Sequence, residues 1–255
     1  MPVVTNAGSG YLIRAITGVS FSADWTRLQW VKFPADPTGA NYYTVFYTIN
    51  VALTDWVGGF AYLSPGFVQD AEADRNGTFQ QIQTPTSSGT WIHRAVRYTA
   101  LTHLLELLIN AVVVGSVTID LSPAATWENA FDHLGWDDAS TLTGNSVAYD
   151  RIWQATLSTS EIAAEMGAQT AVRQTNLIAD NPLQTASDLA ALNNPLLIWS
   201  VIGSVTTAPD APPLGARITQ LPLEAAYNYA QIQRYLQGGG LDWVTPPQTL
   251  TRDRR

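Results

Sequence analysis

Read for periodicity, residues 10–157 are a succession of short strand-like runs separated by turn signals. Tyr11 to Ala15, Arg27 to Phe33 and Tyr42 to Ile49 are rich in β-branched and aromatic residues, and the second opens with the two-residue alternation of a half-buried strand. Between the runs lie turn clusters at 34–39, 74–77 and 85–89, in which Pro, Asp, Asn and Gly dominate. Many short strands with little helix predict an all-β sandwich or barrel. The period changes at Ser158-Thr159-Ser160-Glu161, a capping box in which hydroxyl and carboxylate satisfy orphan N–H groups reciprocally. Ile162, Met166 and Thr170 then recur at helical spacing, which predicts about three turns with Glu161, Glu165 and Gln169 on the polar side. A returning strand follows near 196–203, then a Pro-rich stretch at 206–213, extended and semi-rigid. A second helix is predicted over about 223–237, stopped by Gly238-Gly239-Gly240. The chain thus reads as a sandwich over 1–207 and a linker with a C-terminal arm over 208–255.

Composition narrows the function classes. Charged residues are only 13% of the 255, net charge is −8, and Lys32 is the sole lysine. No basic run precedes the terminal Arg252, Asp253, Arg254, Arg255, so the cationic face that phosphate binding requires is missing and no nucleic-acid partner is expected. There is no cysteine, which excludes disulfides, thiolate metal sites and cysteine nucleophiles. No basic-then-apolar leader opens the chain and no apolar run reaches about 18 residues, so neither export by a signal peptide nor a membrane span is expected. Nine Trp and ten Tyr exceed what one core readily absorbs, and some of them are expected at an interface.

Four ordered segments carry a family resemblance. Gly89 to Tyr98 resembles a "W-x-H-x-A" strand, Leu105 to Val114 a hairpin with the pattern "l-y-i-N-G-x-x-v", and Phe131 to Trp136 an "l-x-i-G" strand. Ala148 to Ile162 is similar to the closing segment "i-D-e-v-r-i-y-n-r-a-L-s-x-x-E-I". Together these resemble the laminin-G-like, concanavalin A-like domains. The resemblance implies an antiparallel jelly-roll sandwich with one short helix after the last family strand. Ala111 departs from the pattern: the hairpin usually has Gly there, so a longer turn or one of another type is expected.

The resemblance also raises chemistry to test. Laminarinase-type hydrolases of this fold carry an E-x-D-x-x-E strand, which does not occur here, so no catalytic residue is assigned. Asp70-Ala71-Glu72-Ala73-Asp74 reads as a solvated loop. Lectins of the fold commonly use calcium, and Asp132, Asp137 and Asp138 are candidate oxygen ligands, although they supply at most three of the six to eight that calcium takes. Trp56 with Asp55, and Trp136, are candidate glycan contacts. His93 reads as a structural histidine, and Trp153 as a core residue.

Two readings remain. The first is a non-catalytic structural protein of a phage particle, a capsid decoration, cement or fibre component on the virion surface, synthesised in the host cytoplasm. Its partners would be capsid or other virion proteins and copies of itself, with a trimer favoured, through Tyr229, Ile232, Tyr235, Leu236 and Trp243. The alternative is a lectin-like module binding carbohydrate, with calcium as an optional cofactor.

Overall fold

The computed structural model describes residues 4–6, 10–16, 19–34, 42–50, 52–62, 67–122, 130–134, 141–142, 144–184, 189–194, 196–203, 205–207 and 210–214. The chain divides into two units, Met1–Gly215 and Ala216–Arg255. The second unit, with the helix predicted at 223–237 and the interface residues Tyr229, Ile232, Tyr235, Leu236 and Trp243, lies outside the described residues.

Among the described residues the first unit holds sixteen strands, one α-helix and one turn of 3-10 helix at Ala100–Thr102. In chain order they are β1 (Val4–Asn6), β2 (Tyr11–Ile16), β3 (Trp25–Lys32), β4 (Tyr42–Ile49), β5 (Trp56–Tyr62), β6 (Val68–Arg75), β7 (Thr78–Pro85) and β8 (Trp91–Thr99). Then follow β9 (Leu104–Ile109), β10 (Val112–Thr118), β11 (Ala130–Leu134), β12 (Thr141–Leu142), β13 (Ser146–Trp153), α1 (Thr159–Met166), β14 (Leu177–Asn181), β15 (Ser200–Ile202) and β16 (Val205–Thr207). They form two eight-stranded sheets. The first runs β10-β9-β8-β3-β13-β1-β16 with β14 beside β13, and the second β15-β2-β11-β4-β5-β6-β7 with β12 beside β4. All pairings are antiparallel except that of β12 with β4. Alternate residues of both sheets, among them Trp25, Val31, Tyr43, Val57, Ala71, Ile92, Leu107 and Ile152, fill the core between them.

A seam of charge crosses that core. Arg14 on β2 donates from Nε and Nη2 to Asp132 on β11, at 3.0 and 2.9 Å, and from Nη2 to Asp150 on β13, at 3.0 Å. Arg27 on β3 donates to Asp132 at 2.6 Å and to Asp150 at 2.7 Å. Thr48, Gln29 and Asn181 bond to the same four side chains, and Arg14 lies 3.9 Å from the centre of the Trp199 ring. Two arginines and two aspartates balance in charge, with side chains at most 1% exposed. This corrects the metal assignment of Asp132. Both of its oxygens are taken by internal donors, and burial, which alone would push its carboxyl up, is outweighed by Arg27 and Arg14, which hold it below the ordinary range. The seam depends on a register shift in β13 between Ala148 and Arg151, where Tyr149 takes a left-handed φ of 53°. The bulge turns Asp150 inward and leaves Arg151 for Asp180 and Glu165.

The helix is shorter than its periodicity suggests. Ser158 caps it with the full reciprocal box, and Gly167 ends it after eight residues, about two turns. Its inner side closes a second cluster containing Ile162, Trp153, Leu157 and Leu28. Glu165, expected on the solvated side, is buried, pairs with Arg151 and accepts the amides of Val172 and Arg173 at 2.9 and 2.7 Å. Gln169 and Thr170 fall beyond the helix end.

The hairpin between β9 and β10 also corrects an expectation. Its loop is the two residues Asn110 and Ala111, with φ of 50° and 62°, a left-handed pair of the I′ kind. Ala111 accepts the strain that Gly avoids, roughly 1 kcal/mol. Its methyl is 8% exposed and packs beside Leu108 and Trp153, a burial that offsets about as much.

Candidate functional site

The site lies on the face of the second sheet that points away from the core, across β4, β5 and β6. Alternation selects its residues. On β5, Val57 and Ala61 face the core while Trp56, Phe60 and Tyr62 face out. On β6, Ala71 and Ala73 are core residues, which puts Asp70, Glu72 and Asp74 on the outer side. The strand β4 carries a bulge between Thr44 and Phe46, so that Val45 and Phe46 are both buried in the core and Tyr42, Thr44 and Tyr47 all point outward. In register, Thr44 faces Phe60 and Phe60 faces Asp70, while Tyr47 faces Gly58 and Gly58 faces Glu72.

These side chains enclose a cavity of about 290 Å³ lined by Tyr42, Thr44, Tyr47, Trp56, Phe60, Tyr62 and Glu72. Five rings stand around it. Phe60 is central, with Tyr42 at 5.4 Å, Trp56 at 5.9 Å, Tyr47 at 6.1 Å and Tyr62 at 6.3 Å between ring centres. Phe79, half exposed, extends the platform at 6.0 Å from Trp56. Gly58 is required here, because a Cβ would come within 2.6 Å of the Phe60 ring and push it into the hollow.

Glu72 is the acidic element of the cavity lining. It is 3% exposed and accepts from the Tyr62 hydroxyl at 3.0 Å and from Gln81 on β7. Behind it Asp70 accepts the Phe60 amide at 3.0 Å and Gln81 at 3.0 Å. Burial, and then hydrogen bonding to Glu72 and its charge, push the Asp70 carboxyl up to about 9, so it holds a proton at neutral pH. From the other sheet, Arg94 on β8 reaches through the core to donate to the Asp70 carbonyl oxygen. Gly59 makes room, since a Cβ there would fall inside the guanidinium. Burial lowers the Arg94 pKa, and the neighbouring Asp70 and Glu72 carboxyls, when ionised, oppose that. Burial also pushes the Tyr47 phenol up to about 12, and the Tyr62 phenol up with help from Glu72, so both hydroxyls stay protonated. The hydroxyl of Thr44 is buried without a hydrogen-bond partner.

Of the glycan contacts expected from sequence, Trp56 lines the cavity. Asp55 turns elsewhere: it is 1% exposed and ties the β6–β7 turn by accepting Arg75 at 2.9 Å and the Asn76 amide at 3.0 Å. Trp136, Asp137 and Asp138 lie outside the described residues. Among the described residues no group of three or more His, Asp or Glu is arranged to hold a metal. The reading of Asp70 to Asp74 as a solvated loop is overturned, because the segment is the fourth strand of the site's sheet counting from β11, and Asp70 is fully buried. His93 is a buried core residue against Trp30 at 5.4 Å, with burial and then Arg151 lowering its pKa to about 3.

No protein-family model matches the chain, and no curated protein matches it by sequence. Solved structures do match in fold. A native heptameric SAP-like pentraxin from Limulus polyphemus aligns with a TM-score of 0.58 and 10% identity, over 86% of this chain and 97% of its own. A putative carbohydrate binding protein from Bacteroides ovatus aligns with a TM-score of 0.59 and 12% identity, over 84% of this chain and 63% of its own. The binding domain of botulinum neurotoxin serotype D gives 0.53 and 11%, with 63% of this chain spanning 41% of that one. The protein therefore has the two-sheet antiparallel jelly-roll sandwich fold of these structures, the concanavalin A-like fold that the four sequence segments implied. At these identities the likeness is one of fold.

Proposed function

We propose that this protein is a lectin-like module that binds carbohydrate at the aromatic cavity of β4, β5 and β6. The observation that carries the reading is the lining itself: five rings set edge-on or tilted to one another for the apolar face of a sugar, the Glu72 carboxylate for hydroxyl groups, and a Thr44 hydroxyl still without a partner. Rings and a few convergent polar groups in a hollow of this volume suit one sugar residue of a larger glycan. Support comes also from the fold, which this chain shares with a protein described as a putative carbohydrate binding protein. The role in a virus particle, expected from composition and the C-terminal arm, draws no such support, and the alternative reading becomes the main one.

The test is glycan-array screening of the full chain, followed by calorimetry with Trp56→Ala and Tyr42→Ala. Retained fold with binding weakened at least tenfold, about 1.4 kcal/mol, is expected for each variant. Binding that survives both substitutions at full strength would move the site elsewhere.

A further inference from the structure

We propose that the ligand presents a protonated amine to the cavity, as an amino sugar with a free ammonium does, and that Glu72 with the surrounding ring faces is its receptor. The inference deepens the glycan reading and rests on it.

Every polar group that lines the cavity is able to accept. Glu72 is an acceptor-only carboxylate when ionised, and Tyr62 has committed its proton to Glu72, leaving its oxygen lone pair. Arg, Lys, Asn and Gln are missing from the lining, so an anionic group would meet a carboxylate and nothing to neutralise it. The five rings turn the same way electrostatically, because their faces are negative and attract cations within about 6 Å of the ring centre. The stretch that supplies all seven lining residues, 33–74, has no Lys, Arg or His, and carries Asp36, Asp55, Asp70, Glu72 and Asp74.

The charge balance beneath the cavity points the same way. Asp70 and Glu72 are both nearly fully buried, and a buried carboxylate is costly unless it is paired. Arg94, which reaches behind them, makes its hydrogen bond to the Asp70 carbonyl and not to either carboxylate, with its Nε and Nη1 unpartnered. Within the protein the two acids are eased by a proton held on Asp70 and by Arg94 at a distance, but the printed partners of the Glu72 carboxylate, Tyr62 and Gln81, are neutral, and an ammonium ion above it would supply a directly paired charge from outside. The aromatic walls exclude water from that pair, which strengthens it.

The experiment is calorimetric titration of the full-length protein with three tetrasaccharides: one of glucosamine, its fully N-acetylated counterpart, and one of glucose. Tighter binding of the glucosamine tetramer by about tenfold or more, fading at high salt, is expected. Glu72→Gln, which keeps an acceptor for Tyr62, should bring that tetramer down to the level of its N-acetylated form. Trp56→Ala should weaken it as well, and thermal melts verify that both variants are folded. Equal binding of all three sugars, with no loss in Glu72→Gln, overturns the amine and leaves the glycan site standing. Failure of all three to bind overturns the amine together with the glycan reading beneath it.

Discussion

Replacing Asp132 by Asn would change the seam between the sheets by one charge and almost no volume. Asp132 is fully buried and accepts from Arg14 Nε and Nη2, from Arg27 Nη1 and from Thr48 Oγ1, at 2.6–3.0 Å. Asn keeps one acceptor oxygen but aims an amide donor at a guanidinium, and leaves two arginines sharing the single carboxylate of Asp150. Breaking a buried ion pair in this way costs about 3–5 kcal/mol, a large part of the 5–15 kcal/mol that typically holds a domain together. In urea unfolding followed by tryptophan fluorescence, with m of about 2–3 kcal/mol/M, the midpoint should fall by roughly 1–2 M. The double variant Arg27→Met with Asp132→Leu leaves Arg14 and Asp150 as a balanced pair and should lose less than Asp132→Asn alone. The reasoning fails if Asp132→Asn shifts stability by less than about 1 kcal/mol, or if the double variant is the worse of the two. The sign with pH follows from the depressed Asp132 carboxyl. Its contribution is fully present above the unfolded value of about 3.9 and is lost as the pH falls through the lower folded one.

Asp70 acts with the opposite sign. Its carboxyl is raised to about 9, so its proton is held by the folded chain and released by the unfolded one between about pH 4 and 9, and stability should decline with rising pH by up to roughly 1.4 kcal/mol per unit. Asp70→Asn, which imitates the protonated acid, should flatten that decline in melts taken from pH 5 to 8; an unchanged slope would remove Asp70 as its source. Gly59→Ala should displace the Arg94 guanidinium and cost about 1–3 kcal/mol or more, while a change below 0.5 kcal/mol in a urea titration would contradict the close approach described. Ser158→Ala removes the capping hydroxyl of α1 and should cost about 1 kcal/mol by the same titration.

The fold was legible where pattern is local. Alternation along β3, the capping box at Ser158 and the four family segments each state their element within at most fifteen residues. The site was legible only in part, because its members meet through pairing across the sheet. Asp70-Ala71-Glu72-Ala73-Asp74 shows the period of two that marks a strand, but charge at every second position looked like a solvated turn. Nothing in that stretch shows that Tyr42, Tyr47 and Phe60 will roof it. Asp132 misled for a related reason: its partners Arg14 and Arg27 stand 118 and 105 residues away, and a buried arginine has no local signature. The turn at Ala111 was misread because the steric rule against a left-handed alanine is soft enough for a buried methyl to offset it.

The seam of Arg14, Arg27, Asp132 and Asp150 has a consequence for how this sequence is able to change over time. Each of the four sits on a different strand, and each neutralises two others, so no single replacement has a nearby intermediate that folds as well. Drift at these positions should come as paired exchange or not at all. In descendants of a common ancestor the four letters would be inherited as a block, even where the surrounding strands have exchanged most of their apolar residues.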